Sequence, residues 1–332
     1  MGKIKSIVTG GAGFIGSHLT EKLLYEGHDV TVLDNFSTGR QNNLAHLEGK
    51  RNLKVIHADI ADLNGISNYF EDVDWVFHIA ALADIVPSIV NPTEYHRSNV
   101  EGTFSVLEAS RLSGVKRFVY AASSSCYGMT EQLPTTESAA ISPEYPYALT
   151  KQIGEQYVMH WGKIYDLPVV SLRMFNVYGP RSRTSGTYGA VFGIFLAQKL
   201  AGKPFTIVGD GNQTRDFIYV SDVVEAYLSA AKSDLKNIAL NVGSGRTNSI
   251  NRLAGLLDGD SIHIPKRPGE PDSAHADISK IQMLLGWKPR VSFEKGVGMM
   301  LEDIDHWNSA PIWDPETIDQ ATEEWFKYLG SG

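Results

Sequence analysis

The sequence predicts an α/β protein built on a doubly wound parallel sheet, with a smaller C-terminal lobe. Three observations lead there. Short β-branched runs alternate with longer helical patterns through the first half of the chain, as in successive βαβ units. The first run opens straight into a glycine-rich turn, Gly10-Gly11-Ala12-Gly13-Phe14-Ile15-Gly16, and then a helical pattern. The second run closes on an acidic residue, Asp34.

The elements follow in order. Residues 4–9 read as a buried strand and 15–26 as a helix closed by Gly27. Strands are expected at 29–34, 54–58 and 75–79. A long helix covers 93–112, ending near Gly114, and a fifth strand occupies 117–122. Another long helix, 146–165, leads to a sixth strand at 168–173. Past Asn176 the pattern loosens, and Gly, Pro and Arg become frequent over 179–183. A helix is expected at 190–201, and a late strand at 238–242 is placed to return to the main sheet. Residues 265–271 form a Pro-rich, charged loop. The last helix, 315–329, has Asp314 as N-cap and Pro315 in its first turn. The expected division is 1–175 for the sheet domain, joined by the late strand, and 176–332 for an interleaved lobe.

Composition narrows the class. The 332 residues carry 30 Lys plus Arg against 38 Asp plus Glu, a formal charge of −8, which argues against a general nucleic-acid or anionic-membrane surface. No uncharged run reaches the roughly 20 residues of a bilayer span; residues 184–198 come nearest and contain three Gly. The first residues lead into a strand-like run unlike a signal peptide. A single cysteine, Cys126, permits neither an internal disulfide nor a thiolate metal centre, so a reducing cytoplasm is expected and no metal site. In the loop where it stands, it reads as a small buried filler. His18 and His78 read as satisfied core groups, and Trp307, Trp313 and Trp325 as packing residues.

The glycine turn carries the first chemistry. Gly10, Gly13 and Gly16 allow a tight turn, close approach of backbone N–H groups to a pyrophosphate, and close packing of helix on strand. The helix start then faces the phosphates with its positive end. Strand, turn, helix and a closing Asp34 together describe a Rossmann-type unit. An acid there accepts hydrogen bonds from an adenosine ribose and repels a 2′-phosphate, so NAD is expected over NADP. Asp59-Ile60 and Ala80-Ala81 end the next two strands, where a cofactor contact and an ordinary strand-end turn are both open.

Tyr147-Ala148-Leu149-Thr150-Lys151 puts a phenol and an ammonium on one face of a helix. A Lys⁺ beside a phenol favours the phenolate, so Tyr147 is a candidate base near neutral pH. Chance alone supplies about 0.7 such pairs in a chain of this make-up, so position matters: this one follows the fifth strand. Directly after that strand comes Ser123-Ser124-Ser125-Cys126-Tyr127-Gly128, where ligands of a doubly wound sheet bind.

Taken together these segments resemble the extended short-chain dehydrogenase/reductase family of NAD-dependent sugar-nucleotide epimerases and dehydratases, and within it most nearly the UDP-hexose 4-epimerases. The matching text is TGGAGFIGSH at Thr9–His18, DNFSTGR at Asp34–Arg40, SSSCYG, the YxxxK pair, and RMFNVYGPR at Arg173–Arg181. It continues with GDGNQTRDFIYVSDV at Gly209–Val223, NVGSG at Asn241–Gly245 and RPGEPDSAHADIS at Arg267–Ser279. The resemblance implies NAD held by Gly10, Gly13, Phe14, Ile15, Gly16, Asp34, Asn35, Asp59, Ile60, Ala80, Ala81 and Asn99. It implies Tyr147 as acid/base, Lys151 holding the nicotinamide ribose and tuning Tyr147, and Ser123 as the hydroxyl partner. It further implies a nucleotide-sugar site made of Ser123, Ser124, Asn176, Arg215, Arg267, Glu270 and Ala274. The two arginines would grip the diphosphate and Glu270 the nucleotide's ribose. A Lys that touches the pyrophosphate in some hexose epimerases is replaced here by Ala83. The helices at 93–112 and 146–165 resemble those that pair in family homodimers.

The reaction is read from a difference. Dehydratases of the family carry Asp-Glu directly after the catalytic hydroxyl, and decarboxylases a Glu in the second position. Here those positions are Ser124 and Ser125, which supply no carboxyl acid/base. The resemblance therefore implies 4-epimerisation of UDP-Glc/UDP-Gal through a transient 4-keto sugar. Ala274 stands where strict glucose/galactose enzymes have a bulky residue, implying room for UDP-GlcNAc/UDP-GalNAc. Uronate 4-epimerase, 2-epimerase, 4-reductase, 4,6-dehydratase and decarboxylase activities stay open on the same scaffold, as does a non-catalytic dinucleotide-binding regulator.

Overall fold

The computed structural model describes residues 3–184 and 189–330. Six strands build the first half: β1 (Lys5–Thr9), β2 (Asp29–Asp34), β3 (Leu53–His57), β4 (Trp75–His78), β5 (Arg117–Ser123) and β6 (Val169–Met174). The lobe adds β7 (Asn176–Tyr178), β8 (Phe205–Val208), β9 (Thr214–Arg215), β10 (Phe217–Tyr219), β11 (Ile238–Val242), β12 (Asn248–Ser249), β13 (Ser261–Ile264) and β14 (Ser273–Ala274). The main sheet has seven strands in the order β11-β6-β5-β4-β1-β2-β3, all parallel. The late strand thus pairs with β6, Ile238 opposite Val170 through Val242 opposite Met174.

The strands are apolar on both faces because both faces are covered. Alternation along each strand divides the side chains between two cores. Ile7, Leu33 and Phe118 pack on one side with Val106, Leu107, Val158 and Trp161 of the helices Gly102–Leu112 and Pro146–Tyr165. Val8, Val32 and Val119 pack on the other with Leu19 and Leu23 of Phe14–Tyr25, and Val223 and Tyr227 of Val220–Lys232. That last helix lies where the sequence pattern loosens, and it returns the chain from the lobe to the main sheet.

The long helix expected at 93–112 is interrupted. It runs as Pro92–His96, a wide π turn over Arg97–Glu101, and Gly102–Leu112. Such turns are frequent at functional sites, and Asn99 sits inside this one. The helix Pro146–Tyr165 has the expected bounds, and so does Pro315–Leu329. In the latter a reciprocal cap is formed: Thr317 N–H donates to Asp314 Oδ1 (2.8 Å) and Asp314 N–H to Thr317 Oγ1 (3.0 Å).

The lobe has a separate aromatic core. Tyr178 stacks on Phe192 with centroids 4.4 Å apart, and Phe217, Phe293, Leu253, Met300 and Trp307 close around them. Its small sheets pair β7 with β10, β8 with β13, and β9 with both β12 and β14. No helix among the described residues is long and apolar enough to cross a membrane.

Candidate active site

Strand order reverses between β1 and β4, and a doubly wound sheet opens a crevice there at the carboxyl ends of its strands. A cavity of about 730 Å³ runs from this crevice into the lobe.

The glycine turn forms its floor. Gly10 has φ +69°, and a Cβ there would stand 2.7 Å from the Ala80 Cα. Thus β1 and the small residues after β4 are pressed together, which explains Ala80-Ala81. A Cβ on Gly16 would lie 2.1 Å from the Gly10 carbonyl oxygen, so the helix start seats directly on the turn. That helix has Gly13 as N-cap and no side-chain cap, leaving its first N–H groups available to a ligand. Gly10, Gly13, Phe14, Ile15 and Gly16 all border the cavity.

Asp34 stands beside this turn, 6% exposed. Ala12 N–H donates to its Oδ2 (2.9 Å) and Phe36 N–H to its Oδ1 (2.8 Å). Burial raises its pKa above the ordinary aspartate value, and the two N–H bonds oppose that shift. Asn35 lines the cavity and shapes the turn by accepting Ser37 N–H at 3.0 Å. Asp59, Ile60, Ala80 and Ala81 also border it. Asp59 is held by Arg97 at 2.6 Å and by Ala61 N–H at 3.0 Å. This floor, bent glycines with open N–H groups and a fixed carboxylate, fits a dinucleotide.

Asn99 departs from its expected place. It is 1% exposed and is absent from the cavity wall. Its side chain accepts Leu82 N–H (2.8 Å) and donates to Leu82 O (2.9 Å) and Thr150 Oγ1 (3.0 Å). Asn99 therefore ties the loop after β4 to the helix that carries Tyr147; it supports the wall without forming it. The π turn, invisible in a periodicity reading, lets it leave the helix to do so.

At the end of β5, Ser123, Ser124 and Tyr147 border the cavity together. The Ser123 and Ser125 hydroxyls are 2.8 Å apart, and Ser125 N–H donates to Ser123 Oγ at 3.2 Å. Lys151 is on the same helix face as Tyr147 but is withdrawn: 4% exposed and outside the cavity wall. Its ammonium lies 4.4 Å from the Tyr120 ring centre. Burial pushes the Lys151 pKa down to about 7, with Glu155 opposing.

Burial holds the Tyr147 phenol above its usual pKa; the nearby Ser123 hydroxyl lowers it, while Asp84 and Cys126 raise it. Lys151 rests against the π face of Tyr120.

The lobe end collects the remaining residues. Asn176 stands exposed on β7, and Arg215, Arg267, Glu270 and Ala274 line the wall with it. Arg215 Nη2 donates to Glu270 Oε1 at 2.8 Å, and Arg267 Nη1 lies 3.8 Å from Glu270 Oε2. Glu270 is therefore a clamp between two guanidinium groups, an arrangement the sequence spacing did not announce. Arg267 also stacks 5.4 Å over the Trp325 ring. Ala274 is set opposite Arg215 by the β14–β9 register.

Some wall residues escaped sequence reading. Asp84 pairs with Arg183, joining the loop after β4 to the loop after β7. Tyr145 stands next to the Tyr147 helix, and Trp307, Trp313 and Trp325 border the cavity as well as packing. The ion pair joins positions 99 apart and carries no local signal; Tyr145, two residues before Tyr147, did. His18 and His78 are satisfied: His18 Nε2 is 2.9 Å from Pro180 O, and His78 lies between Thr9 and Thr103 hydroxyls. Burial pushes the Cys126 thiol up to about 12, consistent with a filler. Among the described residues no group of three His, Cys, Asp or Glu is placed to hold a metal.

Fold and site define an α/β enzyme that works with a bound dinucleotide. Residues 6–243 match the NAD dependent epimerase/dehydratase family, and the chain belongs to it. A UDP-glucose 4-epimerase of Mycolicibacterium smegmatis is 37% identical over 90% of this chain and 98% of its own. The structure of a UDP-N-acetylglucosamine 4-epimerase from Methanobrevibacter ruminantium, in complex with UDP-N-acetylmuramic acid, is 34% identical with a TM-score of 0.86, covering 91% of this chain and 100% of that one. A UDP-glucuronic acid 4-epimerase from Bacillus cereus, in complex with UDP-glucuronic acid and NAD, is 33% identical with a TM-score of 0.85, covering 91% and 99%.

Proposed function

We propose that the protein interconverts the C4 epimers of a UDP-hexose, UDP-Glc/UDP-Gal and also UDP-GlcNAc/UDP-GalNAc, without net redox change. The observation that carries this reading is that Tyr147 and Ser123 border the cavity together, followed by Ser124 and Ser125 where elimination or decarboxylation chemistry needs a carboxyl group. Bound NAD supplies the reversible hydride chemistry at C4. Gly10, Gly13 and Gly16 with the adjoining helix start hold its pyrophosphate, and Asp34 its adenosine ribose. Tyr147 accepts the 4-hydroxyl proton, keeps it while the 4-keto sugar turns to present its opposite face to the cofactor, and gives it back to the same oxygen. Ser123 holds the same oxygen. Lys151, one turn along the helix, would hold the nicotinamide ribose.

In this reading residues 1–175, with the strand at 238–242, carry the dinucleotide, and the rest of 176–332 supplies sugar-nucleotide contacts. Arg215 and Arg267 neutralise the diphosphate, a task suited to forked guanidinium groups. Glu270 preorders them and meets the nucleotide's ribose. Asn176 lies near the diphosphate. The small Ala274 leaves room at the sugar's 2-substituent.

A homodimer belongs to the same proposal. Phe104, Leu112, Leu149, Ile164 and Tyr165 expose apolar surface on the two helices that cover one sheet face. The cytoplasm is the proposed compartment. The test is to incubate pure protein, with no NAD added, with UDP-Glc, UDP-GlcNAc and their uronates and to resolve the products. Epimers of the first two support the reading. A dehydrated or decarboxylated product, or turnover of uronates alone, replaces it.

A further inference from the structure

Trp325 holds two neighbouring residues of the 265–271 loop in different ways. Its indole Nε1–H donates to the Pro268 carbonyl at 2.7 Å, and its ring centre lies 5.4 Å from the Arg267 guanidinium carbon. Trp325 is 3% exposed and also borders the cavity. The guanidinium it supports is nearly enclosed as well: the Arg267 side chain is 12% exposed, with Nη1 3.8 Å from Glu270 Oε2.

Helix geometry delivers Trp325 to this place. In Pro315–Leu329 the buried positions are Ile318, Thr322 and Trp325, spaced i, i+4 and i+7 on one face. Ile318 joins the aromatic core of the lobe. Leu329, one turn beyond Trp325, packs over Gly269, where an added Cβ would stand 3.6 Å from its Cδ1. The helix is thus anchored in the lobe near its start and lies against the loop near its end.

A ring face supports a guanidinium without using its donors. The N–H groups of Arg267 lie in the guanidinium plane, so stacking leaves them for Glu270 and for the phosphate oxygens of a ligand. An arginine on an unsupported loop loses rotamer freedom when it binds; one already seated has less to lose. The bond to Pro268 also fixes the backbone carbonyl next to Arg267. Head group and main chain are therefore both set before a ligand arrives. We infer that Trp325 is a positioning residue that presets Arg267 for the diphosphate of the nucleotide sugar. This rests on the proposed function only in taking Arg267 as a diphosphate contact. The last helix, which reads in sequence as packing, then serves the site directly.

The variants are Trp325→Phe, which keeps a ring and drops the N–H, Trp325→Leu, which drops both, Arg267→Ala, and Arg267→Ala with Trp325→Leu. Each is checked for fold by circular dichroism. Dissociation constants of UDP and uridine are measured on the NAD-loaded protein, together with kcat and KM for UDP-Glc. Trp325→Leu is expected to weaken UDP about 5- to 20-fold and Trp325→Phe about two- to fivefold. Uridine, which has no phosphate, stays within about twofold, and the loss on UDP-Glc falls on KM with kcat little changed. The double variant binds UDP no more weakly than Arg267→Ala, because Trp325 acts through Arg267. Unchanged UDP affinity in Trp325→Leu overturns the proposal. So does an equal loss of UDP and uridine, which marks a merely structural role, and so do losses that multiply in the double variant. Should Trp325→Leu not fold, Trp325→Phe decides by the same comparison of UDP with uridine. If UDP binding depends on Trp325 as expected while no UDP-hexose turns over, the epimerase reading fails and the role of Trp325 stands. If UDP-hexoses turn over while UDP affinity ignores Trp325, only this inference fails.

Discussion

Lys151 lies one helical turn beyond Tyr147, and its ammonium packs 4.4 Å from the centre of the Tyr120 ring. Lysine there is buried among apolar and aromatic groups, with Glu155 as the charge that opposes discharge. Glu155 is shared: Arg173 binds it at 2.5 Å and Ser171 Oγ donates to it at 2.8 Å.

That placement makes stability depend on pH in a definite direction. Lys151 has a folded pKa of about 7, below its unfolded value of 10.5. Between those values the unfolded chain binds more protons, so this group makes the protein more stable as pH rises through that window. Lys151→Met removes the effect. Urea unfolding at pH 7 and 9 is expected to show the variant gaining stability relative to wild type at pH 7 and keeping only a smaller part of that advantage at pH 9. An equal difference at both pH values contradicts the assignment.

Tyr147→Phe keeps the ring that lines the cavity and removes the proton acceptor. Epimerisation is expected to fall by about two to four orders of magnitude. Released-nucleotide assays should still find the wild-type complement of NAD. Full activity in this variant would end the mechanism proposed for Tyr147.

Ala274→Tyr places a bulky ring on β14, opposite Arg215. Turnover of UDP-GlcNAc is expected to fall about 10- to 200-fold, with UDP-Glc largely spared. Parallel loss on both sugars points to a general disturbance of Arg215 instead.

Gly10→Ala meets two obstacles, a left-handed backbone and the Ala80 Cα at 2.7 Å. The backbone alone costs about 1–2 kcal/mol, and the contact cannot relax without separating β1 from the loop after β4. A lower melting temperature and loss of the stabilisation that added NAD confers are both expected in thermal melts.

Ile164 is 55% exposed on the helix proposed to pair between chains. Ile164→Lys should convert a two-chain mass to a one-chain mass in light scattering, with the fold intact. A wild type that is already monomeric refutes the dimer.

Local features were legible wherever chemistry is local. The glycine turn, the closing Asp34, the bounds of 146–165 and 315–329, and the return of 238–242 all follow from side-chain period, caps and turn residues acting over a few positions. The YxxxK pair announced itself through spacing alone. Spacing, however, states only that two side chains share a helix face. Whether Lys151 serves Tyr147 or rests on Tyr120 is decided by what β5 brings underneath that face.

The remainder was settled by tertiary contact. Asn99 supports the wall because a π turn swings it toward Leu82 and Thr150. Glu270 clamps two arginines because β9 and the 265–271 loop meet. Asp84 finds Arg183 across the crevice between sheet and lobe. By itself, then, the sequence determined a dinucleotide-binding sheet and placed Ser123 and Tyr147 at its carboxyl end, since backbone conformation and periodicity are written in neighbouring residues. Only the folded chain decided which charges meet and which are buried, because desolvation and ion pairing depend on groups that are distant in sequence.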